Sequence, residues 1–226
     1  MQRRPTVIVN MFASIDGRIT TGPKRNVAEW TGLGLDADAN DVAHRLFDDL
    51  DCDGVVSGSE TLMVFGNHAV HLPNDVYWPK KSKAFIVFDG RGRIEWSQSE
   101  GLLVITREDV SPAYLDQLNR KRIRHLQASG KEHIDLGAAL ARLYEQGFRR
   151  LGLSGGGTLN GAFLRQGLID EISIVYAPVA IGGKTTPTVF DGDDLADPAM
   201  MTRLDLIRTM PLSSQLVWAH YRVKKK

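Results

Sequence analysis

The stretch from 151 to 178, LGLSGGGTLNGAFLRQGLIDEISIVYAP, restricts this chain more than any other. Leu151 to Ser154 are apolar and short enough for a buried strand. Gly155, Gly156 and Gly157 then remove every side chain where the backbone must turn. Leu159, Ala162, Phe163 and Gln166 recur at helical spacing, and Gly167 supplies a stop. A second apolar strand runs up to Pro178. A strand, glycine turn and helix in this order aim free backbone N–H groups and the positive end of a helix dipole at whatever lies in front of the turn. The fitting guest is a phosphate. The spacing is not the Gly-x-Gly-x-x-Gly of a dinucleotide-binding Rossmann unit, and no Gly-Lys-Ser/Thr of a P-loop follows. Glycine also permits close packing of helix on sheet, so a purely structural use of the turn stands beside the phosphate reading.

The rest of the chain alternates strands and helices around this unit. Strands are expected at Thr6–Phe12, Asp53–Ser57, Lys83–Phe88, Leu102–Thr106 and Ile123–Gln127. Helices are expected at Asp36–Leu50, about Ser59–Phe65, Pro112–Asn119 and Leu136–Gln146. Thr188–Phe190, Met201–Ile207 and Gln215–Tyr221 read as antiparallel strands. The pattern predicts one α/β domain over residues 1–226, a mostly parallel sheet flanked by helices and closed at one edge by a C-terminal hairpin. In such sheets ligands sit beyond the carboxyl ends of the strands. The glycine turn, Ser57–Gly58 and Asp89–Gly90 all fall at such ends and are expected to share one crevice.

Composition narrows the function classes. Lysine and arginine exceed the acids by one in 226 residues, so no global field collects nucleic acid or anionic lipid. No run approaches the length of a membrane span. The two arginines at the start precede an apolar run broken by Asn10, which reads as a first strand and not a leader. One cysteine, Cys52, excludes an intrachain disulfide and fits a reducing, cytoplasmic setting. The histidines, including His44, His68 and His71, lack metal-ligand spacing, and no Gly-x-Ser-x-Gly elbow is present, so neither a metal nor a hydrolase nucleophile is expected. Asp89-Gly90-Arg91-Gly92-Arg93 ends a strand with two arginines able to clamp an adenosine 2′-phosphate, or to form a plain charged turn. Trp30 is either a core anchor or a stacking surface. Asp16 is a turn residue whose place after the first strand also makes it a site candidate.

Taken together, Ala13-Ser14-Ile15-Asp16-Gly17-Arg18, Asp53-Gly54-Val55-Val56 with Gly58 and Thr61, the Asp89 strand end, Gly155 to Asn160, Gly167 to Glu171 and Tyr176-Ala177-Pro178 resemble the reductase domain of bifunctional riboflavin-biosynthesis proteins, the RibD C-terminal domain. The resemblance spans residues 5–223. It implies a dihydrofolate reductase-like fold, NADPH as cofactor, usually a homodimer, and reduction of the ribosyl group of 5-amino-6-(5-phosphoribosylamino)uracil to ribityl. It assigns the cofactor to Ala13, Trp30, Gly58, Thr61, Asp89, Gly90, Arg91, Gly155, Gly156, Gly157, Thr158, Leu159 and Asn160. Asp16 is the expected polar group nearest the acceptor, the catalytic candidate. Ser14, Lys24, His71 and Ser154 are the substrate-side candidates.

That side departs from the family pattern. Ser154 stands where relatives carry a glutamate, and Phe65-Gly66-Asn67-His68 replaces an Asp-Asp-Pro segment. Arg18, Lys24, Arg25, His71 or Lys184 can rebuild a phosphate site. Two alternatives stay open: a reductase of another flat heterocycle such as a dihydropteridine or dihydrofolate, and a sensor that binds the nucleotide without catalysis.

Overall fold

The computed structural model describes residues 3–25, 28–31, 38–66, 80–97, 100–212 and 215–225. The chain divides into two compact units, Met1–Thr6 with Leu50–Gly152, and Val7–Asp49 with Leu153–Lys226.

The first unit contains β2 (Gly54–Gly58), α3 (Ser59–Gly66), β3 (Phe85–Phe88), β4 (Leu102–Arg107), α4 (Pro112–Arg120), β5 (Arg124–Ala128), α5 (Leu136–Glu145) and β6 (Arg150–Leu153). Its strands lie in the order β5-β4-β3-β2-β6. β2 with β3, β3 with β4 and β4 with β5 are parallel. β2, β3 and β4 are short apolar runs buried on both faces, as a parallel sheet covered by helices requires. The helices begin at identifiable caps. Ser111 accepts from the Tyr114 N–H at 3.3 Å, with Pro112 opening α4, and Asp135 accepts from the Ala138 N–H at 2.9 Å to start α5.

The second unit contains β1 (Thr6–Ser14), a short helix α1 (Ala28–Thr31), α2 (Asp38–Asp49), α6 (Gly157–Arg165), β7 (Glu171–Ala177), a single 3₁₀ turn at Pro198–Met200, β8 (Leu204–Pro211) and β9 (Val217–Val223). The strand order is β1-β7-β9-β8; β1 and β7 are parallel, while β7 with β9 and β9 with β8 are antiparallel. The expected mostly parallel sheet with a C-terminal antiparallel hairpin is what these pairings form.

Three expectations shift. Thr188–Phe190 is not a strand: only Thr188 makes an isolated bridge, to Arg18, because this segment curls onto itself and onto the start of α6. The strand expected at Met201 begins at Leu204, since Asp197 accepts from the Ala199 N–H and Pro198 opens a 3₁₀ turn first. Thr20 to Gly34, polar and carrying Gly22, Pro23, Lys24 and Arg25, reads as a loop in the sequence, and it contains α1. The loop carrying His68, His71, Pro73 and Pro79 lies outside the described residues.

Candidate functional site

The glycine turn of the second unit is built for two purposes. Gly156 is the N-cap of α6 and offers no side chain to cap it, so no side-chain acceptor takes up the N–H groups of the first turn, where Gly156 is half-buried and Thr158 exposed. Gly157 and Gly161 serve a different neighbour. A Cβ on Gly157 would overlap the Asp191 carboxylate and the Thr188 carbonyl, and one on Gly161 would overlap the Asp191 carbonyl. The segment from Thr188 to Asp191 therefore lies directly on the helix. Asp191 N–H donates to the Gly157 carbonyl at 3.0 Å, and the Asp191 carboxylate accepts from both the N–H and the hydroxyl of Thr188.

Asn160, expected as a cofactor ligand, is wholly buried, and its amide donates to the Val189 carbonyl at 3.0 Å. Its side chain fastens this same segment, which corrects the expectation. Gly155 is buried, and a Cβ there would press to 2.8 Å on the half-buried Leu159, whereas Gly156 is half-buried and Thr158 exposed. Backbone donors at a helix start match a pyrophosphate in charge. Ser154, half-buried just before the turn, has its hydroxyl 3.8 Å from the Met11 sulfur.

A second constellation in the same unit follows β1. Ala13 and Ser14 are wholly buried. The Ser14 hydroxyl donates to Asp16 Oδ1 at 2.6 Å and accepts from the Arg18 N–H at 2.9 Å. Asp16 also accepts from the Ile181 N–H at 3.0 Å and the Gly182 N–H at 2.7 Å. The Ser14 hydroxyl, then the two backbone donors, hold its carboxyl well below the ordinary aspartate value. It is ionised and saturated with donors, so it is not equipped to give a proton. Arg18 reaches past it to the Thr186 carbonyl at 2.6 Å. Ser14, Asp16 and Arg18 thus tie the turn after β1 to the loop after β7.

Trp30 resolves to the core anchor of the two readings left open: it is buried, stacks on Phe12 at 5.2 Å and donates its indole N–H to the Ile19 carbonyl at 3.2 Å. Lys24 is exposed and holds a left-handed backbone with φ 58°. His71 lies outside the described residues.

The first unit holds the remaining candidates. Gly58 ends β2, and Ser59, Glu60 and the half-buried Thr61 open α3. Asp89, following β3, is fully buried and is not a surface ligand. Its Oδ2 accepts from the N–H groups of Arg93 at 2.8 Å and Ile94 at 3.0 Å and from the Tyr114 hydroxyl at 2.9 Å. Tyr114 in turn accepts from the Trp96 indole N–H at 2.8 Å. Burial, then the Asp89 charge, pushes the Tyr114 phenol well above its ordinary value, so it stays a neutral donor.

This network fixes a turn that presents Gly90, Arg91 and Arg93 outward. Arg91 and Arg93 both reach one oxygen of Glu60, at 3.0 and 2.6 Å. Arg93 was noted from sequence as one of the two arginines of this turn, but Glu60 and Tyr114 were not singled out. The Arg-Gly-Arg spacing carried a signal for Arg93, whereas the 25 residues between Asp89 and Tyr114 carried none. Among the described residues no group of three His, Cys, Asp or Glu side chains is arranged to hold a metal ion.

A model of the RibD C-terminal domain matches residues 5–218. The chain belongs to the RibD C-terminal domain family. It is 31% identical over 229 residues to the 2,5-diamino-6-ribosylamino-4(3H)-pyrimidinone 5′-phosphate reductase of Methanothermobacter thermautotrophicus, covering 98% of this chain and 99% of that one. The solved structure of Acinetobacter baumannii RibD superposes with a TM-score of 0.69 at 20% identity, over 98% of this chain and 58% of that one. Dihydrofolate reductase from Enterococcus faecalis, solved with NADP(H), superposes with a TM-score of 0.51 at 14% identity, over 97% of both chains. The fold is dihydrofolate reductase-like, and membership of the RibD C-terminal family makes the chain an oxidoreductase of the riboflavin-biosynthesis reductase type.

Proposed function

We propose that this protein reduces 2,5-diamino-6-ribosylamino-4(3H)-pyrimidinone 5′-phosphate, opening its ribosyl group to ribityl, with NADPH as reductant. The observation that carries the reading is likeness to a reductase of that name over nearly the full length of both chains. The expected reductase of riboflavin biosynthesis stands, and the name of that relative favours the diamino pyrimidinone over the deaminated uracil as substrate. Residues 1–226 are read as one reductase domain, a reading supported by the family match across 5–218.

In the second unit, the backbone N–H groups of Gly155, Gly156 and Thr158 hold the cofactor pyrophosphate, with Ala13 and Leu159 as apolar contacts. In the first unit, Gly58 and Gly90 allow close backbone approach, and Thr61 and Arg91 supply polar contacts. NADPH, when bound, supplies a hydride to C1′ of the sugar. The chain's own part is to hold, orient and exclude water. Asp16 acts as a positioning residue: its fixed charge keeps the loop after β7 and the turn after β1 in register, and the proton that accompanies the hydride comes from another source. Lys24 and Ser154 contribute to the substrate side, where the family's glutamate is replaced.

A homodimer in the cytoplasm completes the reading. Support for the dimer is β8, an edge strand exposed along its whole length, with Leu206 57% and Ile207 42% exposed. Support for the compartment is a single, buried cysteine and the lack, among the described residues, of a helix long and apolar enough to cross a membrane.

The test follows absorbance at the nicotinamide band while purified protein and NADPH meet a panel of acceptors. Consumption with the diamino pyrimidinone phosphate is expected. Consumption only with the deaminated uracil, or only with a dihydropteridine or dihydrofolate, transfers the assignment to that compound. Tight NADPH binding with no oxidation by any acceptor favours a sensor.

A further inference from the structure

Reduction at C1′ leaves one proton without a donor. When the C1′–O4′ bond of the sugar opens, its electron pair goes to O4′, and that oxygen must be protonated to become a hydroxyl of the ribityl chain. Asp16 is ionised and saturated with donors, so it cannot give the proton. Ser154 offers only an alcohol, which is not among the side chains that serve as general acids.

A tyrosine of the second unit meets the need. β1 and β7 run parallel, with Met11 paired to Ile174 and Ala13 to Tyr176. Side chains alternate along a strand and paired residues share a face, so Met11, Ala13, Ile174 and Tyr176 lie on one face of the sheet. Ser154 lies against that face, its hydroxyl 3.8 Å from the Met11 sulfur. Ala13 and Tyr176 each stand one residue before the carboxyl end of their strand, the edge at which open sheets of this kind take ligands. From Ile172 to Ala177 every residue of β7 is buried except Tyr176, and Val217, its partner on β9, is 43% exposed. The Tyr176 hydroxyl makes no hydrogen bond among the described residues. A tyrosine with its ring packed into a sheet usually finds a partner for its hydroxyl, so this one is left for a ligand. Burial, then the neighbouring Tyr221, raises the phenol above its ordinary value, and the group stays protonated at neutral pH. A phenol is still a stronger acid than the alcohol that forms, so the transfer runs downhill.

We propose that Tyr176 is the general acid of the reaction, giving its phenolic proton to O4′ of the ribosyl group as the C1′–O4′ bond opens. The inference rests on the reductase reading and adds the residue that completes its proton balance. The C1′–O4′ electron pair passes to O4′, the Tyr176 O–H bond breaks and an O4′–H bond forms. The ribosylamino nitrogen lends its lone pair to C1′ and recovers it when the hydride arrives. The tyrosinate then takes a proton from water. One hydride from NADPH and one proton from solvent are consumed for each ribityl group made.

The test measures the single-turnover rate of NADPH oxidation with the diamino pyrimidinone phosphate, so that product release does not mask the chemical step. Wild type, Tyr176→Phe, Tyr221→Phe and protein carrying 3-fluorotyrosine at position 176 are compared. Each is checked for unchanged thermal unfolding and titrated calorimetrically with NADPH. Tyr176→Phe is expected to lower the rate by about 10²–10⁴-fold, with NADPH affinity within roughly twofold of wild type. Tyr221→Phe, which pairs with Ile172 away from the carboxyl edge, keeps the wild-type rate. Fluorotyrosine, with a more acidic phenol on the same ring, restores at least roughly tenfold of what phenylalanine loses.

A Tyr176→Phe rate within roughly threefold of wild type overturns the assignment and leaves the reductase reading standing. A lost rate matched by an equal loss of NADPH affinity also overturns it, since the phenol then holds the cofactor. Fluorotyrosine no faster than phenylalanine overturns it as well, because the proton is then not what the position supplies. A wild type that oxidises no NADPH with this acceptor overturns the reductase reading and this inference together.

Discussion

Asp16 shows how much one side chain can hold in place. Its place after β1 made it a catalytic candidate, but three donors within 3.0 Å make it a fixed anion. Because its folded-state pKa is depressed, the stability it adds is fully present above the ordinary aspartate value of 3.8 and is lost as pH falls below that value. Asp16→Asn is therefore expected to lower the melting temperature by a constant amount from pH 5 to pH 8. The gap to wild type narrows only in strong acid. A gap that opened near neutral pH would instead mean a carboxylate that titrates there. Gly161 makes the complementary case for an absent side chain. Gly161→Ala drives a methyl into the Asp191 carbonyl and is expected to cost about 1–3 kcal/mol or more in denaturant unfolding. An unchanged midpoint would show that the Thr188–Asp191 segment gives way freely.

Among the elements, α6 and the turn after β3 were legible to different degrees. The glycines of α6 marked a strand-to-helix turn from sequence alone, because three in a row leave few other uses. That Gly157 and Asn160 face the Thr188–Asp191 segment was invisible, since nothing local links residues about thirty apart and the segment itself resembled a strand. Trp30 was ambiguous because its partners, Phe12 on β1 and Ile19 in the turn after it, are not helical neighbours of α1 but lie earlier in the chain. The turn after β3 was read as two surface arginines, while its support, Tyr114 on α4, is set by tertiary packing. Tyr114→Phe leaves Asp89 short of a donor and Trp96 without its acceptor, an expected loss of about 1–3 kcal/mol. Equilibrium unfolding measures it. A neutral result would mean that the network adds nothing to holding the turn.

At the scale of the whole molecule, the mostly parallel sheet and its antiparallel ending followed from the alternation of apolar runs and glycine punctuation, a pattern that the sheet pairings realise, whereas the strand order was not read from sequence. The full exposure of β8 was not foreseen, because its alternation of Leu204, Leu206 and Met210 with polar residues reads as one buried face. Sedimentation at micromolar concentration is expected to give a dimer, and Leu206→Lys a monomer; a wild-type monomer contradicts the dimer outright. The account as a whole stands on hydride transfer from a nicotinamide to the ribosyl carbon. Its most direct measurement supplies NADPH deuterated at the transferable position, together with the diamino pyrimidinone phosphate, and reads the product by mass spectrometry and NMR. One deuterium at C1′ of a ribityl product is the predicted result. A product without deuterium, or cofactor and substrate recovered unchanged, would contradict it.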